Sequence, residues 1–140
     1  MILIEEEQPL LNAICWNDAG LVACIAQQHD TGEVLMLAWM DRAAVTETLA
    51  TGRLCYFSRS RNRPWRKGET SGQVQRLVGL RLDCDGDTLL ALVEQTGAAC
   101  HTGRRSCFYR AERDGALTTI AEPIADPVVL YGAARRGAGP

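Results

Sequence analysis

Three cysteines in the second half of the chain stand in polar, glycine-bearing surroundings: Cys84, Cys100 and Cys107. Thiolate sulfur is a preferred ligand of zinc, and three protein ligands leave a coordination position at which zinc can activate water. The chain contains no CxxC pair, which is the usual mark of a closed structural zinc site. A closed Cys3His site that includes His101 is the alternative, although adjacent residues such as Cys100 and His101 rarely converge on one ion.

Three aspartates surround the first of these cysteines in the stretch RLDCDGDTLL. Asp83, Asp85 and Asp87 offer carboxylate oxygens, which suit a hard cation. An extended strand would place all three on one face and Cys84 on the other, which predicts two separate sites, one rich in oxygen and one rich in sulfur. A solvated hairpin tip is the alternative, because Asp-Gly is common turn chemistry. An EF-hand loop is excluded because its sixth position would be Thr88 instead of glycine.

A basic loop, SRSRNRPWRKGETSG, forms a local positive patch in an otherwise acidic chain. Its guanidinium groups and Lys67 can hold phosphate, and Trp65 can stack on a base or cover a sugar. Ser71 and Gly72 can add a hydroxyl and a closely approaching backbone N–H. Single-stranded nucleic acid is the alternative ligand, but one aromatic residue without an extended stripe argues against it.

Length and composition place limits on where these residues act. The chain has 140 residues, 46% hydrophobic and 23% charged, with a net charge of −2, which fits one globular domain and argues against general nucleic-acid or membrane-surface binding. The acidic start and the lack of a long apolar run predict a cytoplasmic protein whose six cysteines stay free or bind metal. The remaining cysteines, Cys15, Cys24 and Cys55, are predicted to be buried structural thiols.

Alternating and helical patterns predict the elements that position these groups. Strands are expected over 21–27 and 33–39, with a turn at Asp30-Thr31-Gly32. A helix follows in MDRAAVTETLATG, capped by Asp41 and ended by Gly52. Further strands are expected in LCYFS, from Gln73 to Cys84, in TLLALVEQ and in FYRAE, with loops at RSRNRPWRKGETSG and TGAACHTGRRSC.

These elements predict an α+β, predominantly β, single domain over residues 1–140 with one main helix. Residues 111–140 are interpreted as a C-terminal extension, with a mobile end at YGAARRGAGP.

Four stretches, TGEVLMLAWM, SRSRNRPWRKGETSG, RLDCDGDTLLALVEQ and ACHTGRRSCFY, resemble the phosphoribosyl-AMP cyclohydrolase family of histidine biosynthesis. The resemblance spans roughly residues 20–110 and involves long, specific motifs. It implies a hydrolase that opens the adenine ring of phosphoribosyl-AMP between N1 and C6, giving a phosphoribosylformimino-AICAR-phosphate product. It also implies Zn2+ and Mg2+ as cofactors and a strand-rich pseudobarrel fold in an intertwined homodimer, with no nucleic-acid or membrane partner.

The same resemblance implies roles for particular residues. Zinc ligands contributed by both subunits would be Cys84, Cys100 and Cys107, and magnesium ligands would be Asp83, Asp85 and Asp87. We expect His101 to move the proton, because it follows a zinc ligand and ionises near neutrality, with Glu69 as a second candidate. The substrate has two phosphates, which favours Arg59, Trp65, Lys67 and Ser71 as its contacts.

Two residues depart from the family pattern. Gln73 follows TSG where histidine is common, so any role of that histidine must be moved or dispensed with. Pro64 stands where leucine is expected and can restrain the loop before Trp65. A structural zinc module and a single-strand-binding protein remain the rival functions.

Overall fold

The computed structural model describes residues 8–131, in which strands predominate over helices. Within these residues no helix has both the length and the apolar character needed to cross a membrane. The helices are α1 (Pro9–Ala13), α2 (Arg42–Thr51) and α3 (Pro127–Tyr131). The strands are β1 (Val22–Gln28), β2 (Val34–Met40), β3 (Cys55–Ser58), β4 (Arg63–Arg66), β5 (Gln75–Leu82), β6 (Thr88–Gln95), β7 (Arg110–Arg113) and β8 (Ala116–Thr119).

The main sheet has four strands in the order β2-β1-β6-β5. The β1–β2 and β5–β6 pairs are antiparallel hairpins, whereas β1 and β6 run parallel, with Ile25 opposite Leu90. Alternate residues of β6 enter the core, where Leu89, Ala91 and Val93 are fully buried. Strand β6 therefore connects its own hairpin, β5–β6, to the β1–β2 hairpin, which is distant along the chain.

Two smaller sheets complete the fold, one formed by β3 and β4 and the other by β7 and β8. The strand-rich α+β prediction is confirmed. Among the described residues, however, the strands form separate sheets and do not close into a barrel. Two short helices, α1 and α3, accompany α2, the main helix of the sequence prediction.

Local signals identified several elements correctly. The β1–β2 hairpin begins and ends within one residue of its predicted bounds, and Gly32 in its turn has φ 79°. In α2 the Asp41 carboxylate accepts a hydrogen bond from the Ala44 backbone N–H at 2.8 Å. Gly52 ends the helix with φ 75°, and its N–H donates to the Thr48 carbonyl. The strand predicted from TLLALVEQ matches β6 residue for residue.

Two predictions along the chain were wrong. The basic loop contains β4, in which Arg66 pairs with Cys55 and Pro64 occupies an edge strand that does not need its missing N–H. Strand β5 ends at Leu82 instead of reaching Cys84, and a bulge within it leaves Val78 47% exposed.

Among the cysteines predicted to be structural, Cys24 and Cys55 are buried but Cys15 is exposed, because it follows the short helix α1 at the surface. The predicted mobile end lies outside the described residues, apart from Tyr131 in α3.

Candidate active site

The chain after β6 folds into a tight turn that we call the cysteine hairpin, residues 97–107. Its two arms pair through the backbone, because the Ala99 N–H donates to the Arg105 carbonyl and the Cys100 N–H to the Arg104 carbonyl. Gly103 closes the turn by donating its N–H to the Cys100 carbonyl at 3.0 Å. The hairpin brings together cysteines that are separated by six residues in the sequence.

The sulfur atoms of Cys100 and Cys107 share a hydrogen bond, and the pair forms the sulfur-rich half of a metal site. The hydrogen bond from Cys107, aided by one from the Thr102 hydroxyl at 3.0 Å, lowers the pKa of Cys100 to about 5 even though Cys100 is buried. The same shared hydrogen bond raises the pKa of Cys107. One thiol therefore releases its proton readily, and a bound cation would displace the other proton.

One guanidinium group fastens the cysteine hairpin to the sheet. Arg105 donates through Nη1 to the carbonyls of Gln95 (3.1 Å) and Gly97 (2.9 Å). Through Nη2 it donates to the Gln28 side-chain oxygen at 2.7 Å, and through Nε to the Glu33 carboxylate at 3.2 Å. A single side chain thus joins the β1–β2 turn, the end of β6 and the hairpin, so the thiols are held in place before any metal arrives.

Gln73, one of the two departures from the family pattern, supports the hairpin from the other side. Its side-chain oxygen accepts the Ala98 backbone N–H at 2.7 Å and occupies the space that a side chain at Gly97 would fill. Its carbonyl accepts hydrogen bonds from Lys67 Nζ and from the Gln95 amide. In this chain the residue after TSG therefore acts as a support for the cysteine hairpin.

The three aspartates lie in a turn between β5 and β6, which we call the aspartate turn, residues 83–87. The Asp83 carboxylate accepts the backbone N–H groups of Asp87 (3.0 Å) and Thr88 (3.2 Å), and Gly86 has φ 78°. One oxygen from each of Asp83, Asp85 and Asp87 lies within 4.8 Å of the others. The predicted oxygen-rich group is therefore present, but the turn gathers it and strand alternation does not.

The carboxylates of the aspartate turn perturb one another. Hydrogen bonding to Asp83 and to Asp85 raises the pKa of Asp87 above its ordinary value. Partial desolvation opposes ionisation of Asp83, but hydrogen bonds from the Asp87 carboxyl and the Thr88 N–H outweigh it and lower its pKa. Three acids that share protons in this way fit a hard cation, because its charge would let all of them ionise.

The two groups lie at opposite ends of β6. The eight-residue strand between the two turns is itself roughly 23 Å long, given a rise of about 3.3 Å per residue. Cys84 lies in the aspartate turn and is exposed, far from Cys100 and Cys107. Across residues 8–131 no third cysteine, histidine or carboxylate joins the thiol pair in a three-ligand group. Besides the three aspartates, the ligand atoms of His29, Asp30 and Glu94 also lie close together.

A cleft opens beside the thiol pair, between the basic loop and the cysteine hairpin. Its floor includes Met36 and Ala99, and Trp65 is supported there by the ring of Tyr56 at a centroid distance of 5.0 Å. Four predicted functional residues line the cleft together with Cys107: Trp65, Lys67, Ser71 and His101. Glu69, the second candidate for proton transfer, lines it as well.

The basic residues divide between the cleft and other partners. Arg59 lies outside this cleft, in an adjoining depression, with its guanidinium 4.7 Å from the centre of the Trp39 ring. Arg66 is held by two 2.8 Å hydrogen bonds to Glu47. Burial lowers the pKa of Lys67 to about 8, although the nearby thiols of Cys107 and Cys100 favour its charged form. Lys67 therefore lies close to the thiol pair as well as to the cleft.

Several site residues could not be identified from the sequence. Arg61 and Arg63 are exposed and line the cleft, whereas Arg59, chosen from the same run, does not. Arg105 was missed because its partners come from distant parts of the chain. Tyr131 lines the cleft although it belongs to the region interpreted as a C-terminal extension. For Arg63 the signal would have been alternation along β4, which puts it on the same face as Trp65, whereas Arg61, in the turn, and Tyr131 have no such signal.

Comparison with known proteins agrees with this geometry. A family model described as phosphoribosyl-AMP cyclohydrolase matches residues 36–109. This range contains the basic loop, the aspartate turn and the cysteine hairpin, and it ends before β7.

Curated proteins with the same printed name are similar over most of the chain. A phosphoribosyl-AMP cyclohydrolase from Granulibacter bethesdensis is 71% identical over 88% of this chain and 97% of its own length. One from Chromohalobacter salexigens is 65% identical over 91% of this chain and 88% of its own. One from Alkalilimnicola ehrlichii is 68% identical over 87% of this chain and 86% of its own.

Proposed function

The chain belongs to the phosphoribosyl-AMP cyclohydrolase family, and we propose that it opens the adenine ring of phosphoribosyl-AMP in the cleft beside Cys100 and Cys107. The reaction hydrolyses the N1–C6 bond and belongs to histidine biosynthesis. The observation that carries the assignment of the cleft is that the thiol pair, His101 and the basic loop meet at one place. A cytoplasmic location fits a chain with six free thiols.

The side chains of the cleft suit a nucleotide with two phosphates. Arg61 and Arg63 supply positive charge, and the described part of the chain contains no carboxylate that pairs with either. The Ser71 oxygen accepts the Gln73 N–H at 3.1 Å, which leaves the hydroxyl proton free to be donated to a phosphate. Trp65 offers a ring on which the adenine can stack.

The thiol pair fits zinc by its chemistry, since zinc takes thiolate ligands and the pKa of Cys100 is lowered by its hydrogen bond with Cys107. We propose Cys100, Cys107 and a Cys84 as the ligands. Zinc held by three protein ligands supplies a water nucleophile near neutral pH. The chain positions the purine C6 for this attack through the aromatic and basic groups of the cleft.

His101 is proposed to move the proton. It lines the cleft and directly follows Cys100, so it can reach a proton near the reacting carbon and deliver it to N1 as the ring opens. We expect His101→Ala to keep its zinc and lose roughly a hundredfold to ten-thousandfold in kcat. Glu69→Gln serves as the comparison, because Glu69 lines the same cleft and is the other candidate. Near-normal turnover of His101→Ala would remove His101 from the mechanism.

Magnesium is proposed to bind at Asp83, Asp85 and Asp87. One oxygen of each lies within 4.8 Å of the others, and hydrogen bonding to Asp83 and Asp85 raises the pKa of Asp87, so a divalent cation would displace the proton that these carboxyl groups share. A cation held there could also contact a phosphate of a bound nucleotide.

A homodimer would complete the zinc site. Within one chain the Cys84 sulfur does not lie with those of Cys100 and Cys107 in a group of ligand atoms, so one chain does not place all three sulfurs on one ion. Exposed apolar side chains near the hairpin and on β5, namely Leu37, Val78 and Phe108, suit a protein–protein contact. We therefore propose an intertwined dimer, with the pseudobarrel closed between subunits and each site using Cys84 of one chain and Cys100 and Cys107 of the other.

Mixing two inactive variants tests this arrangement. Cys84→Ser and Cys107→Ser are each expected to be inactive as separate homodimers. After unfolding and refolding together, about half of the dimers are mixed and carry one intact site, which predicts roughly a quarter of wild-type activity. No recovery in dimers shown to be mixed would contradict a shared site.

The function itself is tested by metal analysis together with a ring-opening assay on phosphoribosyl-AMP. We expect one zinc per chain and turnover that is lost on chelation and restored by zinc. A structural zinc module would contain the metal without turnover, and full turnover in a zinc-free variant would overturn the proposed chemistry.

A further inference from the structure

The chain beyond β8 does not leave the molecule but returns to the cysteine hairpin. The Ile120 N–H donates to the Tyr109 carbonyl at 2.8 Å, and Arg104 Nε donates to the Ala121 carbonyl at 2.8 Å. The family model matches the chain only as far as residue 109. Both bonds therefore join residues beyond that range to residues within it. The extension is therefore attached to the element that carries the thiol pair.

Gly103 makes this attachment close. The backbone N–H groups of Ile124 and Ala125 both donate to the Gly103 carbonyl, at 2.8 and 3.1 Å. A side chain at Gly103 would collide with the Ala125 carbonyl oxygen, and Gly103 also has φ 85°. The tip of the cysteine hairpin thus fixes where residues 120–125 lie.

The short helix α3 starts from this fixed segment and ends at the cleft. The Asp126 carboxylate accepts the Val128 N–H at 2.9 Å, and the Asp126 carbonyl accepts the Leu130 N–H at 3.1 Å. Tyr131, the last residue of α3, is half-buried and lines the cleft together with Trp65 and His101. The cleft therefore has large aromatic side chains from two distant parts of the sequence.

We propose that Tyr131 is a substrate-contacting residue whose ring packs against the nucleotide bound in the cleft, and that the segment 120–126 holds Tyr131 there through its hydrogen bonds to the cysteine hairpin. The proposal rests on the function proposed above, since it takes the ligand of the cleft to be a purine nucleotide. A tyrosine ring provides a large, rigid contact area for a base or a sugar. Tyr131 acts on binding and leaves the chemistry to other residues.

The test compares Tyr131→Ala, Tyr131→Phe and Val129→Ala in the full-length metal-loaded protein. Val129 lies on the same helix, is 80% exposed and does not line the cleft, so its replacement controls for damage to α3. Tyr131→Ala should raise the Kd for adenosine 5′-monophosphate and the KM for phosphoribosyl-AMP roughly tenfold, because alanine removes one ring contact. We expect kcat and zinc content to stay near wild type, Tyr131→Phe to bind normally and Val129→Ala to match wild type.

Each outcome decides the proposal. Unchanged Kd and KM in Tyr131→Ala would overturn the role of Tyr131 while leaving the proposed function intact. Weaker nucleotide binding by Tyr131→Ala, in a protein without ring-opening activity, would support the contact made by Tyr131 and refute the proposed reaction. If the wild-type protein neither bound the nucleotide nor turned over substrate, both would fail.

Discussion

The cysteine hairpin and the aspartate turn lie at opposite ends of the same strand, yet the protein holds them in different ways. Backbone pairing, Gln73 and the Arg105 guanidinium fix the hairpin, and the hydrogen bond between its two thiols lowers the pKa of Cys100. The carboxylates of the aspartate turn are exposed, and the turn is held by the side chain of one of its own candidate ligands, Asp83, and by the Cys15 N–H, which donates to the Gly86 carbonyl at 2.7 Å. The first region is therefore held by several side chains that are not candidate ligands, whereas the second depends in part on a candidate ligand.

This contrast bears on how each region would respond to damage. A preorganised site should lose affinity when its supports are removed, even if its ligands remain. A site gathered by its own ligands should respond mainly to changes in the ligands themselves. The predictions that follow use this difference.

Removing a thiol should have the largest effect. Cys107→Ser should abolish zinc binding and lower kcat by at least about a thousandfold, because the thiolate is both a ligand and the partner of Cys100. Elemental analysis and the ring-opening assay measure the two losses. Cys15→Ser is the matched control, since Cys15 is exposed and lies outside the proposed ligand set. Equal losses in both variants would show a general sensitivity to thiol replacement.

Removing a support should have the next largest effect. Arg105→Gln deletes hydrogen bonds to Gln28, Glu33 and the β6 end while leaving every proposed ligand in place. Zinc affinity, measured by chelator competition, should fall about tenfold to a hundredfold. The free energy of unfolding should fall by about 2 kcal/mol. Arg113→Gln, at the exposed end of β7, should change neither quantity. Unchanged zinc affinity in Arg105→Gln would mean that the cysteine hairpin does not need the hydrogen bonds of Arg105.

Neutralising one carboxylate should affect magnesium alone. Asp85→Asn should raise the magnesium concentration needed for half-maximal activity by roughly tenfold or more, because carboxylates dominate such sites. Zinc content should remain at the wild-type value, since the change leaves all three proposed zinc ligands, Cys84, Cys100 and Cys107, in place. A magnesium titration of Asp85→Asn beside Asp18→Asn, an acid elsewhere on the chain, measures the difference. A fall in zinc content together with weaker magnesium binding would show that Asp85 is also needed to position Cys84 for zinc.

The smallest effect concerns proton release by the metal-free protein. The hydrogen bond from Cys107 lowers the pKa of Cys100 to about 5, so the folded chain releases a proton that the unfolded thiol keeps up to its ordinary pKa. Stability should therefore rise with pH between about 5 and 9 and be lost as the pH falls through 5. Urea unfolding between pH 5 and pH 8, below the range in which the lowered pKa of Lys67 adds its own contribution, measures a slope of at most about one proton. Cys107→Ala removes the hydrogen bond and should flatten that slope; an equal slope would locate the proton elsewhere.

The sequence predicted elements that depend on local signals better than those that depend on distant contacts. Local signals were sufficient for β6 and for α2, whose Asp41 cap and Gly52 end act within a few residues. The grouping of the aspartates was also predicted, but from alternation along a strand. The actual cause is the side chain of Asp83, which accepts backbone N–H groups and folds the segment into a turn.

Long-range partners could not be predicted in this way. Arg105 contacts residues 28, 33, 95 and 97, and nothing in its immediate surroundings indicates those partners. The bulge at Val78 depends on the register between β5 and β6, which an alternating pattern does not reveal. The strand at Pro64 was missed because charge and proline predict a loop, whereas an edge strand tolerates both.

The parallel pairing of β1 with β6 has a consequence for how the protein is made. About 60 positions separate the end of β1 from the start of β6, so the ribosome must add them while one edge of β1 has no strand beside it. At typical rates of synthesis this interval lasts roughly 3–12 s. During that time the nascent β1–β2 hairpin presents a template for other chains. We therefore expect substitutions that weaken β6 to reduce the yield of soluble protein before they reduce the activity of the molecules that fold.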